Sequence, residues 1–359
     1  MQESSSGPGI DRGRSDSGRV INPVGLLSGS AAVMVVDAAT AASLAGGPVA
    51  FTHCEVLDCD TSGTVVSSVV AVGSGDLDLS ALTSARPPFA EHELSRPLIM
   101  GVVNVTPDSF SDGGDDANPA NAVEHARRLI DAGADILDIG GESTRPGAEP
   151  IGTAEECDRI LPVIDAAVAA GVTVSADTRR AETMRVAIAA GAAIVNDVTA
   201  LTGDPDALDT IAASDASVIL MHMQGTPETM QNAPAYRLAS FDIFHWLRAR
   251  LDTCEAAGIS RDRIAIDPGI GFGKTDFHNM ELLHRAAAFH GLGCAVAIGV
   301  SRKSFIGRIA GIDVPKDRLA GTLAATGMAL SRGVQIHRVH DVSEVRQAVK
   351  VWGAPYENG

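Results

Sequence analysis

From Pro97 onward the chain alternates short, β-branched apolar runs with amphipathic stretches, and this alternation restricts its fold more than any other feature. The runs are Leu98–Val103, Ile136–Ile139, Val172–Ala176, Ala193–Val195, Val218–Met221, Ile264–Ile266, Ala295–Val300 and Val334–Ile336. Between several of them apolar residues recur at helical spacing, over Ala120–Ala132, Ala154–Ala170, Ala181–Ala190 and Arg318–Arg332. Strands that are apolar throughout need cover on both faces, and crossovers of helix length make consecutive strands parallel. Eight such units in roughly 260 residues suit a closed (β/α)8 TIM barrel better than an open doubly wound sheet.

The polar residues have a consistent place in this pattern. Each apolar run carries or precedes a group capable of chemistry: Asn104, Asp138, Asp177, Asn196 with Asp197, His222, Asp267, Lys303, and Arg338 with His340. In a barrel these positions converge on the C-terminal face, where such enzymes build their sites. One polar residue after a strand is a cap or turn, and Asp197 alone would serve as that. A succession of them points to a shared site.

The first part of the chain reads differently. Residues 1–19 are Ser, Gly and charge, the composition of a disordered tail. Residues 20–93 read as a small α+β domain of unknown role, with strand-like runs at Phe51–Leu57 and Thr64–Val72. Its polar, Pro-containing end, Leu79–Glu93, reads as a linker, and 94–355 as the barrel. A chain starting near Ser95 is therefore expected to fold and keep the chemistry.

Charge narrows the partners. A net charge of −17 argues against nucleic acid or an anionic membrane, which need a basic face. An anionic ligand must then be held by a local group of cations. No apolar run is long enough to span a bilayer, and the opening residues lack the apolar stretch of a secretory signal. The five cysteines are odd in number and scattered, as free thiols in the cytoplasm would be. His53, Cys54 and Cys59 lack a second ligand pair at zinc spacing. Only Lys274, Lys303, Lys316 and Lys350 appear among 28 basic residues. In so Arg-rich a chain, each lysine raises the question of what a compact ammonium does that a guanidinium cannot.

Several segments carry a resemblance. They read MGVVNVTPDSFSDGG (Met100–Gly114), DIGGESTRPGAEP (Asp138–Pro150), ADT (Ala176–Thr178), VNDV (Val195–Val198), DPGIGFGKT (Asp267–Thr275), GVSRKSFIG (Gly299–Gly307) and RVHDV (Arg338–Val342). Together, in this order, they make residues 97–352 similar to the dihydropteroate synthases, a family of pterin-binding barrels. The resemblance implies condensation of 6-hydroxymethyl-7,8-dihydropterin pyrophosphate with p-aminobenzoate, giving 7,8-dihydropteroate and pyrophosphate for folate synthesis. It also implies Mg2+, a homodimer through barrel helices and sensitivity to sulfonamides.

By the same resemblance Asp177, Asn196 and Asp267 line the pterin pocket, Lys303 donates to the ring's acceptor side, and Asp138 stands nearby. Asn104 meets the phosphates and Mg2+. Phe110, Thr144, Arg145 and Pro146 contact p-aminobenzoate, Asp112 the reacting centre, and Ser304 the carboxylate end of the acid. Phe272 and Gly271 form a wall of that second pocket.

The residues themselves support such chemistry. A pterin presents an amide N–H beside an exocyclic amine, and a carboxylate is the natural acceptor for that fork. A pyrophosphate needs cations, and Arg338 and His340, two apart after the last strand, project to one side. Mg2+ keeps waters and phosphate oxygens, so it needs no cage of carboxylates. A P-loop reading of Gly269–Thr275 fails because Pro268 occupies the place of the first glycine. No Ser or Cys is paired with a base, so the leaving group departs with electrostatic help rather than by covalent catalysis. Pro107–Gly114 and Gly141–Pro150 are rich in Gly, Pro, Ser and Asp, the composition of loops that order on binding. The rival readings are a pterin-dependent corrinoid methyltransferase, which would use the same carboxylates but not the pyrophosphate cations, and a non-catalytic pterin-binding homologue.

Overall fold

The computed structural model describes residues 18–74, 77–106, 119–143, 150–226 and 229–354. The chain begins with β1 (Val20–Ser28), α1 (Gly29–Asp37), β2 (Ala42–Ser43), β3 (Val49–Cys59) and β4 (Val65–Ala71). β3 is the centre of a four-stranded sheet, antiparallel to β1 on one edge and to β2 and β4 on the other. The short helix α2 (Ser80–Thr83) follows. Sequence reasoning found β3 and β4 but not β1, whose Asn22, Pro23 and Gly25 interrupt the apolar pattern.

The barrel strands are β5 (Leu98–Asn104), β6 (Ile136–Gly140), β7 (Thr173–Asp177), β8 (Ile194–Asp197), β9 (Ser217–Met221), β10 (Ile264–Asp267), β11 (Ala295–Gly299) and β12 (Ile336–Val339). They pair in parallel, each with its neighbours in sequence, and β12 closes on β5. Helices α3 (Pro119–Asp131), α4 (Thr153–Ala169), α5 (Ala181–Ala189), α6 (Ala207–Ala212), α7 (Ala239–Ala256), α8 (Asp276–His284), α9 (Ser304–Ala310), α10 (Leu319–Leu330) and α11 (Val342–Trp352) form the crossovers and the C-terminal cover. The fold is the (β/α)8 barrel that the alternation predicts.

Alternate strand residues belong to different layers, as a period of two requires. Leu137 and Ile139 of β6 pack outward with residues of α3 and α4. Ile136 instead joins Leu98, Ile194, Ile219, Ala265, Ala295 and Ile336 inside the barrel. Two residues beyond these inner apolar positions stand Asp138, Asn196, Asp267 and Arg338. Arg338 therefore lies within β12 and not after it. The run Val334–Ile336 places the strand too early because the next inward residue is a charge.

Leu79–Glu93 is not a linker. Phe89 and Leu94, 1% and 5% exposed, pack under the inner apolar layer and close the N-terminal end of the barrel. Arg86 donates to the carbonyls of Ala81, Ser84, His290 and Cys294, tying this segment to the barrel's lower loops. The signal is hard to read from sequence because two apolar side chains amid Pro and charge have no periodicity. The N-terminal sheet is docked as well. Leu44, Phe51 and Cys54 pack with Leu82 and Ala287, and Arg285 forms paired hydrogen bonds of 2.9 and 2.8 Å to Glu55.

Candidate active site

Asp138 is the hub of the upper inward layer. Its side chain is fully buried, and it accepts from Ser175 Oγ at 2.7 Å, Asn196 Nδ2 at 3.1 Å and Arg338 Nε at 2.5 Å. These donors come from β7, β8 and β12, so the pairing register of the barrel brings them to one level. Arg338 also donates through Nη2 to Asp177 at 2.7 Å. One guanidinium thus serves two carboxylates. Burial raises the Asp177 carboxyl to about 7, repulsion from Asp138 adds to this, and Arg338 only partly offsets it. Burial disfavours the Arg338 guanidinium too, but the two carboxylates more than compensate and it stays charged. With Asp138 held by two further donors, Asp177 is the carboxyl of the pair that takes up a proton near neutral pH.

Asp267 ends β10 and spends one oxygen on the Gly269 N–H at 2.7 Å. Burial raises its carboxyl, against the attraction of Lys303. Lys303, the residue before α9, is pushed down to about 8 by burial, with Asp267 opposing. Its ammonium donates to the Ile270 carbonyl and lies 4.7 Å from the centroid of Phe272, a cation–π arrangement. Asp267, Lys303 and Phe272 therefore make a second group on the rim, and Gly299 lies between it and Arg338. A Cβ at Gly299 would stand 3.6 Å from Arg338 Cβ and 3.8 Å from Lys303 Nζ.

The site opens at the C-terminal mouth, its floor is apolar, and its walls carry buried carboxyl groups with raised pKa beside a desolvated ammonium. That arrangement suits a flat heterocycle with donors on one edge and acceptors on another. A sequence pattern described as "Pterin binding enzyme" matches residues 100–340. A dihydropteroate synthase of Escherichia coli strain K12 is 45% identical over 260 residues, covering 72% of this chain and 92% of its own. The chain belongs to the dihydropteroate synthase family. A solved Yersinia pestis dihydropteroate synthase, described with a sulfonamide drug complex, is 42% identical with a TM-score of 0.70, covering 73% of this chain and 95% of its own. A Xanthomonas albilineans dihydropteroate synthase in complex with 7,8-dihydropteroate is 40% identical with a TM-score of 0.64, covering 73% and 93%. The family match begins at residue 100, so the N-terminal sheet lies outside it.

The structure brings most of the family-pattern residues together but assigns some of them different neighbours. Arg338 and His340 have different hydrogen-bond partners. Arg338 points inward to the carboxylates, whereas the His340 ring approaches Ser301 Oγ at 3.0 Å. Asn104 closes β5 at the mouth, and Ser304 opens α9 with its side chain exposed. Phe110, Asp112, Thr144, Arg145 and Pro146 lie outside the described residues. Asp197 is a turn residue, accepting from Thr199 N, Thr199 Oγ1 and Leu201 N. His222 is buried against Lys274, with Nδ1 3.1 Å from Nζ, and Trp246 stacks edge-on to it at 4.9 Å.

Two groups escaped sequence reasoning. Ser175, two residues before Asp177 on β7, could have been found from the period of two. Arg180 could not. Its Nη2 reaches both Glu142 and the Ile151 carbonyl at 2.7 Å, and Nη1 reaches Glu156 at 3.0 Å. It joins Glu142, the first residue of the family segment ESTRPGAEP, to Ile151, the residue that follows it.

Proposed function

We propose that this family member condenses 6-hydroxymethyl-7,8-dihydropterin pyrophosphate with p-aminobenzoate, forming 7,8-dihydropteroate and releasing pyrophosphate. The observation that carries the reading is the inward layer of Asp138, Asp177, Asn196 and Arg338 beside Asp267 and Lys303. Asp177 and Asp267 accept from the donor edge of the pterin, Asn196 donates and accepts beside them, and Lys303 donates to the ring's acceptor side. When the pterin takes Asp177, Arg338 keeps Asp138 through Nε, and Nη2 is released for the departing pyrophosphate. The bond from the pterin methylene to the pyrophosphate oxygen breaks with its electron pair going to oxygen. The aniline nitrogen then bonds to the methylene carbon and loses a proton to solvent.

Arg338 and His340 stabilise the anion, and Asp112 stabilises the cation on the pterin methylene. Phe110, Thr144, Arg145 and Pro146, with Phe272 and Ser304, hold p-aminobenzoate. Mg2+ would be held through Asn104, an oxygen donor at the mouth. No cluster of three His, Cys, Asp or Glu suited to a metal exists among the described residues, which fits an ion that takes its other oxygens from pyrophosphate and water. When bound it would neutralise charge on the leaving group.

Sulfonamides, which present an aniline and an anionic end, should compete with p-aminobenzoate. Exposed Phe277, Ile309 and Val314 on and beside α8 and α9 support a homodimer through barrel helices. Five free cysteines support a cytoplasmic address, and no helix among the described residues is long and apolar enough to cross a membrane.

The test is pyrophosphate release from the pterin substrate with and without p-aminobenzoate. Sustained, multiple-turnover release that requires the acid, and a product with the absorbance of dihydropteroate, are expected. Lys303→Ala should lose turnover, and Lys303→Arg should not restore it, since a planar fork replaces a compact donor. Normal turnover in the Arg variant would remove the role given to Lys303.

A further inference from the structure

Lys274 is a lysine the reaction does not use, yet it is 1% exposed. Its Nζ lies 2.7 Å from the Phe272 carbonyl, 3.2 Å from the His222 carbonyl and 3.1 Å from His222 Nδ1. As an ammonium it donates to all three. As an amine it donates to the two carbonyls and accepts from Nδ1–H. Burial pushes both Lys274 and His222 well below their usual values, and the same tie survives either protonation state. A guanidinium has no such compact arrangement of donors.

What Lys274 ties is the loop that follows β10. Gly269 has φ +71°, and a Cβ there would stand 1.9 Å from the His222 carbonyl oxygen, so the loop lies directly on the end of β9. Gly271 has φ +86°, and a Cβ there would meet Lys303 Cδ at 3.0 Å. The loop is thus wedged between β9 and Lys303. From outside, Asn279 Oδ1 accepts from the Gly271 N–H at 2.7 Å, and Tyr236 donates to the Gly273 carbonyl at 2.8 Å. The face turned to Lys303 offers it the Ile270 carbonyl and the Phe272 ring.

We infer that Lys274 is a positioning residue of the reaction: from beneath the loop it sets the Ile270 carbonyl and the Phe272 ring, and through them the Lys303 ammonium. The inference rests on the role proposed above for Lys303, and it answers why a lysine is kept at this buried position in an arginine-rich chain.

The test uses the full chain with Lys274→Met, Lys303→Ala and their double variant, measuring kcat, the KM for each substrate, and folded content by circular dichroism. Lys274→Met should lower kcat/KM for the pterin substrate by up to roughly 10²-fold, as misplacing a binding group does. The KM for that substrate should rise, whereas a simple loss of folded enzyme would lower kcat alone. The double variant should be no worse than Lys303→Ala, because both act on one contact. Tyr236→Phe, which loosens the same loop from its outer side, should show a smaller loss that likewise disappears on the Lys303→Ala background. It keeps the test decisive if Lys274→Met does not fold. Unchanged constants in folded Lys274→Met overturn the inference, as do losses that multiply in the double variants. Full activity in Lys303→Ala overturns it too, and there the error lies in the role given to Lys303.

Discussion

Asp177→Asn should stabilise the empty enzyme at pH 8 while abolishing its grip on the pterin. The carboxyl is raised from 3.8 to about 7 because it is buried beside Asp138 and shares one guanidinium with it. Three units at about 1.4 kcal/mol each set a ceiling of about 4 kcal/mol on the cost of keeping it ionised. The side chain is 14% exposed, and the variant also gives up a charged bond to Arg338, so a net gain of about 1–2 kcal/mol is expected. Arg338 is not stranded, since Asp138 remains bonded to its Nε. The sign follows from the folded state having the higher pKa. The wild type pays nothing below the unfolded value of 3.8, progressively more up to about 7, and a constant amount above it. Asparagine does not ionise, so its advantage should grow with pH across that window and then level. Equilibrium urea unfolding at pH 5, 6, 7 and 8 on both proteins measures the difference. A variant less stable at pH 8, or an advantage that shrinks as pH rises, would refute this account of the site's electrostatics.

Phe89→Ala should destabilise the barrel by about 3–5 kcal/mol in urea unfolding, because it empties the closed N-terminal end. For the same reason a chain starting at Ser95 should aggregate, contrary to the expectation from composition, and one starting at Ser80 should be the more soluble of the two by gel filtration. Arg180→Met should cost about 3 kcal/mol by leaving Glu156, 1% exposed, buried without its cation; Glu156→Gln in the same background should recover much of it. Calorimetry should find weak p-aminobenzoate binding to the free enzyme and much tighter binding once a pterin and Mg-pyrophosphate are present, since ordering by the first ligand lowers the entropic cost of the second. Equal affinity in both conditions would mean that the second pocket is built beforehand.

The sequence by itself determined the architecture and the family. Eight apolar runs with helical crossovers admit few folds, and their polar residues mark the C-terminal mouth before any coordinates are known. Asp177, Asn196 and Asp267 were legible because they lie at or next to strand ends, where the hydrophobic pattern stops. Arg338 was legible as a functional residue but not as a partner of Asp138 and Asp177. Its contact with Asp138 spans 200 positions of chain and exists only because β12 closes against β5. The buried tie of Lys274 to His222 and the closure of the barrel by Phe89 and Leu94 were likewise decided by tertiary structure. The physical reason is common to all three. Periodicity reports which face of an element is buried, since burial acts along the whole strand or helix. It does not report which single side chain, brought from a distant strand or loop, satisfies a particular buried charge or fills a particular end of the core, because that depends on register and closure alone.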